Sequence, residues 1–93
     1  MKTIKAEITG TNDLLAQFVL QDAISGEKQV VQNSKMAVFQ VVESNKYIML
    51  VEVVGSNGQK YKLVITGATK SSYPVAEQTL DGGRDILMAR ITG

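Results

Sequence analysis

The feature that most constrains this chain is an alternation of apolar and polar side chains with a period of two residues. Near the N-terminus Ile4, Ala6 and Ile8 occupy every second position, and polar residues fill the positions between them. Successive side chains of a β-strand point to opposite faces, so this pattern is typical of a strand with one buried face. We therefore predict a strand over residues 2–9.

A longer stretch with the same character covers residues 36–65, which are rich in β-branched residues. It contains two turn signals, at residues 44–46 and 55–58, where Ser, Asn and Gly cluster. The stretch therefore predicts two consecutive hairpins. Their strands are predicted over residues 36–43, 47–54 and 59–66.

The register of the second hairpin follows from its loop. With Gly58 as the left-handed residue of a three-residue loop, Gly55 pairs with Gln59 and Glu52 lies opposite Lys62. A slip of one residue would bury Glu52, so the three-residue loop is favoured. The side chains then predicted on one apolar face are those of Met49, Val51, Val53, Tyr61, Leu63 and Ile65.

The opposite face of these strands is too apolar to be left fully in water. We expect it to be covered by residues 11–32 of the chain or by a partner. It is our predicted interaction surface, and its residues are Ile48, Leu50, Glu52, Val54, Lys60, Lys62 and Val64.

Residues 14–32 admit two interpretations. One is a hairpin with strands over residues 16–22 and 28–32, in which Asp22 and Gly26 supply the turn chemistry. The other is a helix over residues 12–24, capped by Thr11 or Asn12. The hairpin is favoured because Gly26 and the β-branched pair Val30 and Val31 follow so closely.

The C-terminal third predicts a loop of small residues over 66–72, a polar turn over 81–85 and a closing strand over 85–92. Met36 and Met88 are expected to fill the core. The fold class predicted for the single domain 1–93 is a mainly β antiparallel meander that closes into a small sandwich or barrel. It has about five to seven strands and at most one helix, for which residues 12–24 are the candidate.

Composition excludes several kinds of chemistry. The chain has no Cys and no His, which removes thiol nucleophiles, imidazole bases and Cys/His zinc or haem sites. We therefore expect no enzyme, no metal and no cofactor. The charges are dispersed, with a net charge of +1, which does not favour a nucleic-acid tail or a membrane surface. The N-terminal residues carry charges where an export signal would be apolar, so a cytoplasmic location is expected.

Two functions are compatible with these features. The first is a non-catalytic protein–protein interaction module or a self-associating structural subunit, whose partner is another protein or a second copy of the chain. Small chains without family motifs are common in phages and mobile elements, and an accessory protein of such an element is one expectation. The alternative is an oligonucleotide-binding small β-barrel, with contacts at Lys46, Tyr47, Lys60, Lys62 and Arg84. The alternation disfavours it, because Tyr61 should point away from Lys60 and Lys62.

Overall fold

A computed structural model of the chain describes residues 2–10 and 14–93, and these residues form nine strands and no helix. The predicted mainly β antiparallel fold is confirmed. Strands predicted over residues 2–9 and 85–92 correspond to the first and last of the nine. In chain order the strands are β1 (Lys2–Gly10), β2 (Leu15–Asp22), β3 (Lys28–Ser34), β4 (Met36–Val41), β5 (Lys46–Val54), β6 (Lys60–Thr66), β7 (Lys70–Ser72), β8 (Gln78–Thr79) and β9 (Arg84–Thr92).

The strands form two antiparallel sheets that pack as a small sandwich. Sheet I has the strand order β4-β1-β6-β8, and sheet II has the order β3-β2-β5-β9-β7. Among the pairings of the described strands, only β2 and β3 are neighbours both in the chain and in a sheet. The connections therefore mostly join strands that are not hydrogen-bonded to each other, unlike those of a simple meander.

The predicted pairing of the three central strands is wrong. β4 and β6 both lie beside β1 in sheet I, whereas β5 lies in sheet II. Glu52 therefore pairs with Gln17 and Ile86, and Lys62 pairs with Thr9. The turns at residues 44–46 and 55–58 carry the chain from one sheet to the other.

The side chains that point inward are nevertheless those that the alternation predicts. Every member of the predicted apolar face is buried in one hydrophobic cluster between the sheets. Gly58 has a φ of 85°, the left-handed conformation that its loop was expected to need. Met36 and Met88 do not fill the core, as was expected of them, because they lie on outward positions with 43% and 51% of their surface exposed.

Residues 15–34 form the predicted hairpin, and the helix alternative is wrong. One carboxylate oxygen of Asp22 accepts the backbone N–H groups of Ile24 (2.8 Å) and Ser25 (3.0 Å), and Gly26 closes the turn with a φ of 76°. These hydrogen bonds lower the pKa of Asp22, that from Ser25 most. The cap residues of the helix alternative, Thr11 and Asn12, lie outside the described residues.

The hairpin also corrects the expectation that residues 11–32 cover the second face of the central strands. β2 pairs edge to edge with β5 within sheet II, so it widens the sheet and leaves the outer face open.

Residues 66–72 are not wholly a loop, because Lys70–Ser72 form β7 on the edge of sheet II beside β9.

Three tyrosine hydroxyls reach across from one part of the sandwich to another. Each is attached to a ring that is buried or half-buried, and each makes a hydrogen bond to a residue 5, 24 or 8 positions away in the chain. Those of Tyr47 and Tyr61 connect segments of the two sheets. The three bonds are from the N–H of Val42 to Tyr47 Oη (2.8 Å), from Tyr61 Oη to Asp85 Oδ2 (2.6 Å) and from the N–H of Ile65 to Tyr73 Oη (3.1 Å).

Candidate functional site

The outer face of sheet II carries a row of apolar side chains that crosses four strands. Val19 is the register partner of both Val30 and Leu50, and Leu50 is the partner of Met88. Val30, Leu50 and Met88 are 49%, 46% and 51% exposed. Since directly opposite side chains in a sheet are about 5 Å apart, the four form one continuous row.

Further apolar side chains extend this row along the strands on both sides. All of them lie on the same face, and each is at least 40% exposed. We call the whole set the outer patch. Its members are Leu15, Val19, Val30, Ile48, Leu50, Val54, Ile86 and Met88.

The outer patch exists because β5 and the middle of β9 carry apolar residues on both faces. In β5 the inward residues Met49, Val51 and Val53 are fully buried, yet the outward residues Ile48, Leu50 and Val54 are also apolar. A strand with one wet face normally alternates apolar and polar residues, whereas a strand that is apolar throughout is normally covered on both faces. β5 therefore has the sequence of a covered strand but lies in a sheet with an open side.

Charged residues border the outer patch differently at its two ends. Near Val54, the guanidinium of Arg84 donates a hydrogen bond to the carboxylate of Glu52 and forms an ion pair with it. At the opposite end, near Ile48, the flanking charges are the cations of Lys46, Lys70 and Arg90. One end of the face therefore carries an ion pair with no net charge. The other end carries these three cations, which we call the cationic corner.

The structure brings together only part of the predicted interaction surface. Ile48, Leu50, Glu52 and Val54 lie side by side on the outer face of sheet II. Lys60, Lys62 and Val64 belong to β6 and face outward from sheet I, on the other side of the sandwich. The predicted surface depends on the pairing of β5 with β6. Since these strands lie in different sheets, its residues lie on two separate faces.

The alternative nucleic-acid contacts do not share one surface either. Tyr47 is 6% exposed and points into the core, so its ring offers no stacking platform. Lys46 and Arg84 lie on sheet II, and Arg84 is paired with Glu52. Lys60 and Lys62 lie on sheet I, where the ammonium of Lys60 is 3.9 Å from a carboxylate oxygen of Glu77.

Sequence reasoning missed the contribution of the other strands of sheet II to this face. Ile86 and Met88 alternate with the buried Leu87 and Ala89, so their outward position could have been deduced from the strand pattern. Their position beside Leu50 could not, because β9 and β5 are separated by the whole of β6, β7 and β8. The positions of Val19 and Val30 in the apolar row could not be deduced either, because β3 and β4 separate β2 from β5 in the chain.

The outer face of sheet I differs from that of sheet II. Its central strands β1 and β6 present mainly polar side chains, among them Lys5, Glu7 and Lys62. Its exposed apolar residues lie mainly on the edge strand β4 and just after it, and include Val38 and Val42, 51% and 47% exposed. The broad apolar surface is therefore a property of sheet II.

Comparison with known protein families, with curated proteins and with solved structures finds no match to this chain. The described residues contain no helix long and apolar enough to cross a membrane.

Proposed function

We propose that this chain is a non-catalytic interaction module that associates with a second copy of itself through the outer patch of sheet II. The observation that carries the proposal is the apolar row of Val30, Val19, Leu50 and Met88, which crosses four strands in register on an open face. Contiguous exposed apolar surface of this kind marks interaction sites on folded proteins.

The size of the face supports a specific interface. The five strands are three to nine residues long, and at about 3.3 Å per residue and about 4.8 Å between strands they give a face of roughly 600 Å². Two such faces together remove on the order of 1,000 Å² from water, which is the lower limit for a specific protein interface. The proposed dimer is therefore a small one, and its association should depend on concentration.

The charge distribution favours one arrangement of the two copies. A two-fold axis that lies in the interface and crosses the strands places the Lys46 end of one copy over the Val54 end of the other. This arrangement keeps the two cationic corners apart and brings each near the Glu52 carboxylate of the other copy. The apolar rows meet at the centre, as the two layers of a sandwich do.

The test is the oligomeric state in solution. We expect sedimentation equilibrium to show a monomer–dimer equilibrium at micromolar to millimolar protein concentrations. Leu50→Glu places two carboxylates at the centre of the dimer and should leave only monomer. Because Leu50 is 46% exposed, this change should not prevent folding, which circular dichroism would check.

The matched control is Val38→Glu, which puts the same charge at an equally exposed position on sheet I. We expect this variant to dimerise as the wild type does. A wild type that is monomeric over the whole concentration range would refute the proposal, and so would an equal loss of dimer in both variants.

A cytoplasmic location stays a prediction, which fractionation of cells that produce the protein would test.

A further inference from the structure

At the cationic end of sheet II there is an open cavity of about 670 Å³. It lies where β5, β9 and the short edge strand β7 run side by side. A volume of this size is within the range of small-molecule sites. The residues that line it are Ala23, Lys46, Tyr47, Ile48, Thr69, Lys70, Ser71, Ser72, Arg90, Ile91 and Thr92.

The register of the three strands determines how the cations are arranged. Thr92 is the partner of Lys46 on one side and of Lys70 on the other, so the two lysines lie two strand spacings apart, or about 10 Å. Arg90 precedes Thr92 by two positions and therefore emerges on the same face. The three cations form a triangle around one threonine.

Among the residues that the structure describes, these cations have no acidic partners. Within residues 2–10 and 14–93, the ion pairs are those of Lys60 with Glu77 and of Arg84 with Glu52, and neither involves a cation of this cavity. Three like charges on one wall repel one another, and an anion placed between them would relieve that repulsion. The cavity is thus electrostatically suited to a ligand with more than one negative charge.

The remaining lining indicates what kind of anion fits. Thr69, Ser72 and Thr92 supply hydroxyl groups, and that of Thr69 accepts a hydrogen bond from the ammonium of Lys2 at 2.8 Å. Hydroxyl groups together with Lys and Arg side chains are the usual donors to phosphate oxygens. Tyr47 is buried, so the cavity has no exposed aromatic ring on which a nucleobase could stack. This lining favours a compact ligand with several phosphoryl oxygens over an oligonucleotide.

We propose that this cavity binds a small ligand that carries at least two phosphoryl groups. One group contacts Lys46, another contacts Lys70, and Arg90 donates to the oxygens between them. The cavity is built partly from the edge strand β7, but it shares Ile48 with the outer patch, and the proposed dimer would bring Glu52 of the second copy near its lysines. The inference therefore applies to the monomer, in which ligand binding should compete with self-association.

The test is isothermal titration at 50 mM and 200 mM salt with tripolyphosphate, fructose 1,6-bisphosphate and orthophosphate as probes. We expect the first two to bind at least tenfold more tightly than orthophosphate, because only they can span the two lysines. Which of them binds more tightly distinguishes an inorganic polyphosphate from a phosphorylated sugar. Since the contacts are ionic, the higher salt concentration should weaken binding several-fold.

The decisive variant is Lys46→Ala/Lys70→Ala, which should reduce the affinity for the preferred probe at least tenfold. The matched control, Lys5→Ala/Lys62→Ala, removes the same charge from the outer face of sheet I and should bind as the wild type does. The proposal is overturned if no probe binds, if orthophosphate binds as tightly as the other two probes, or if both double variants weaken binding equally. Sedimentation of the Lys46→Ala/Lys70→Ala protein would show separately whether the dimer persists.

Discussion

At the scale of single residues, the hydroxyl of Tyr61 links the two sheets. Tyr61 is only 1% exposed, and its hydroxyl donates to Asp85 across the sandwich at 2.6 Å. Burial raises the pKa of Tyr61 above its usual value near 10, and the hydrogen bond to the Asp85 carboxylate and its negative charge raise it further. The folded protein therefore holds this tyrosine in its neutral form.

This pKa shift makes stability depend on alkaline pH. The pKa of Tyr61 is higher in the folded than in the unfolded chain, so its stabilising contribution is complete below pH 10. It is lost as the pH rises above 10 towards the folded-state pKa, because the unfolded chain ionises first. We expect the free energy of unfolding, measured with urea between pH 8 and pH 11.5, to fall above pH 10.

The variant Tyr61→Phe separates this effect from general alkaline denaturation. It should lower the free energy of unfolding at pH 8 by about 1–2 kcal/mol, because a buried hydrogen bond is lost. Above pH 10 its stability should decline less steeply than that of the wild type. Equal slopes for the two proteins would show that Tyr61 is not the group responsible.

At the scale of elements, the side chain of Gln29 joins the edge strands of the two sheets. Its amide nitrogen donates to the carbonyl of Gln40 at 2.8 Å, and its oxygen accepts the N–H of the same residue at 3.4 Å. The side-chain amide of Gln29 thus makes the two hydrogen bonds that a neighbouring strand would make with the backbone of Gln40 in β4. Edge strands with free backbone groups invite pairing with other chains, and this contact closes part of such an edge.

We expect Gln29→Ala to open this contact without disturbing the hairpin that carries it. The backbone N–H of Gln40 should exchange with deuterium at least several-fold faster, and the free energy of unfolding should fall by about 1 kcal/mol. Amide hydrogen exchange followed by NMR measures the first effect. Gln32→Ala, at an exposed position of the same strand, should leave the exchange at Gln40 unchanged.

The elements also show which parts of the fold could be predicted. The alternation in 47–54 and 59–66 correctly identifies the inward side chains, because the period of a strand is a local property. It does not identify the neighbouring strand: a turn such as residues 55–58 can close a hairpin or carry the chain to the other sheet. The hairpin of β2 and β3 was predictable because Asp22 and Gly26 hold its turn locally.

At the scale of the whole molecule, both candidate sites depend on contacts between distant parts of the chain. Leu50 and Met88 are neighbours on the outer patch, and Lys46 and Lys70 flank Thr92, although each of these pairs is more than 20 positions apart in the sequence. No local sequence pattern shows that these residues are neighbours in the fold. The sequence could therefore predict that Ile48 and Leu50 lie on an outward apolar face, but not the rest of either site.

The order of strands in the two sheets also determines how fast the chain can fold. Since only β2 and β3 are neighbours in both chain and sheet, almost every ladder must close a long loop before its hydrogen bonds form. Proteins dominated by such distant pairings fold in milliseconds to seconds. We expect stopped-flow refolding from urea on this timescale, with the β2–β3 hairpin protected first in pulse-labelling experiments. Microsecond refolding would mean that the rate is set by local contacts instead.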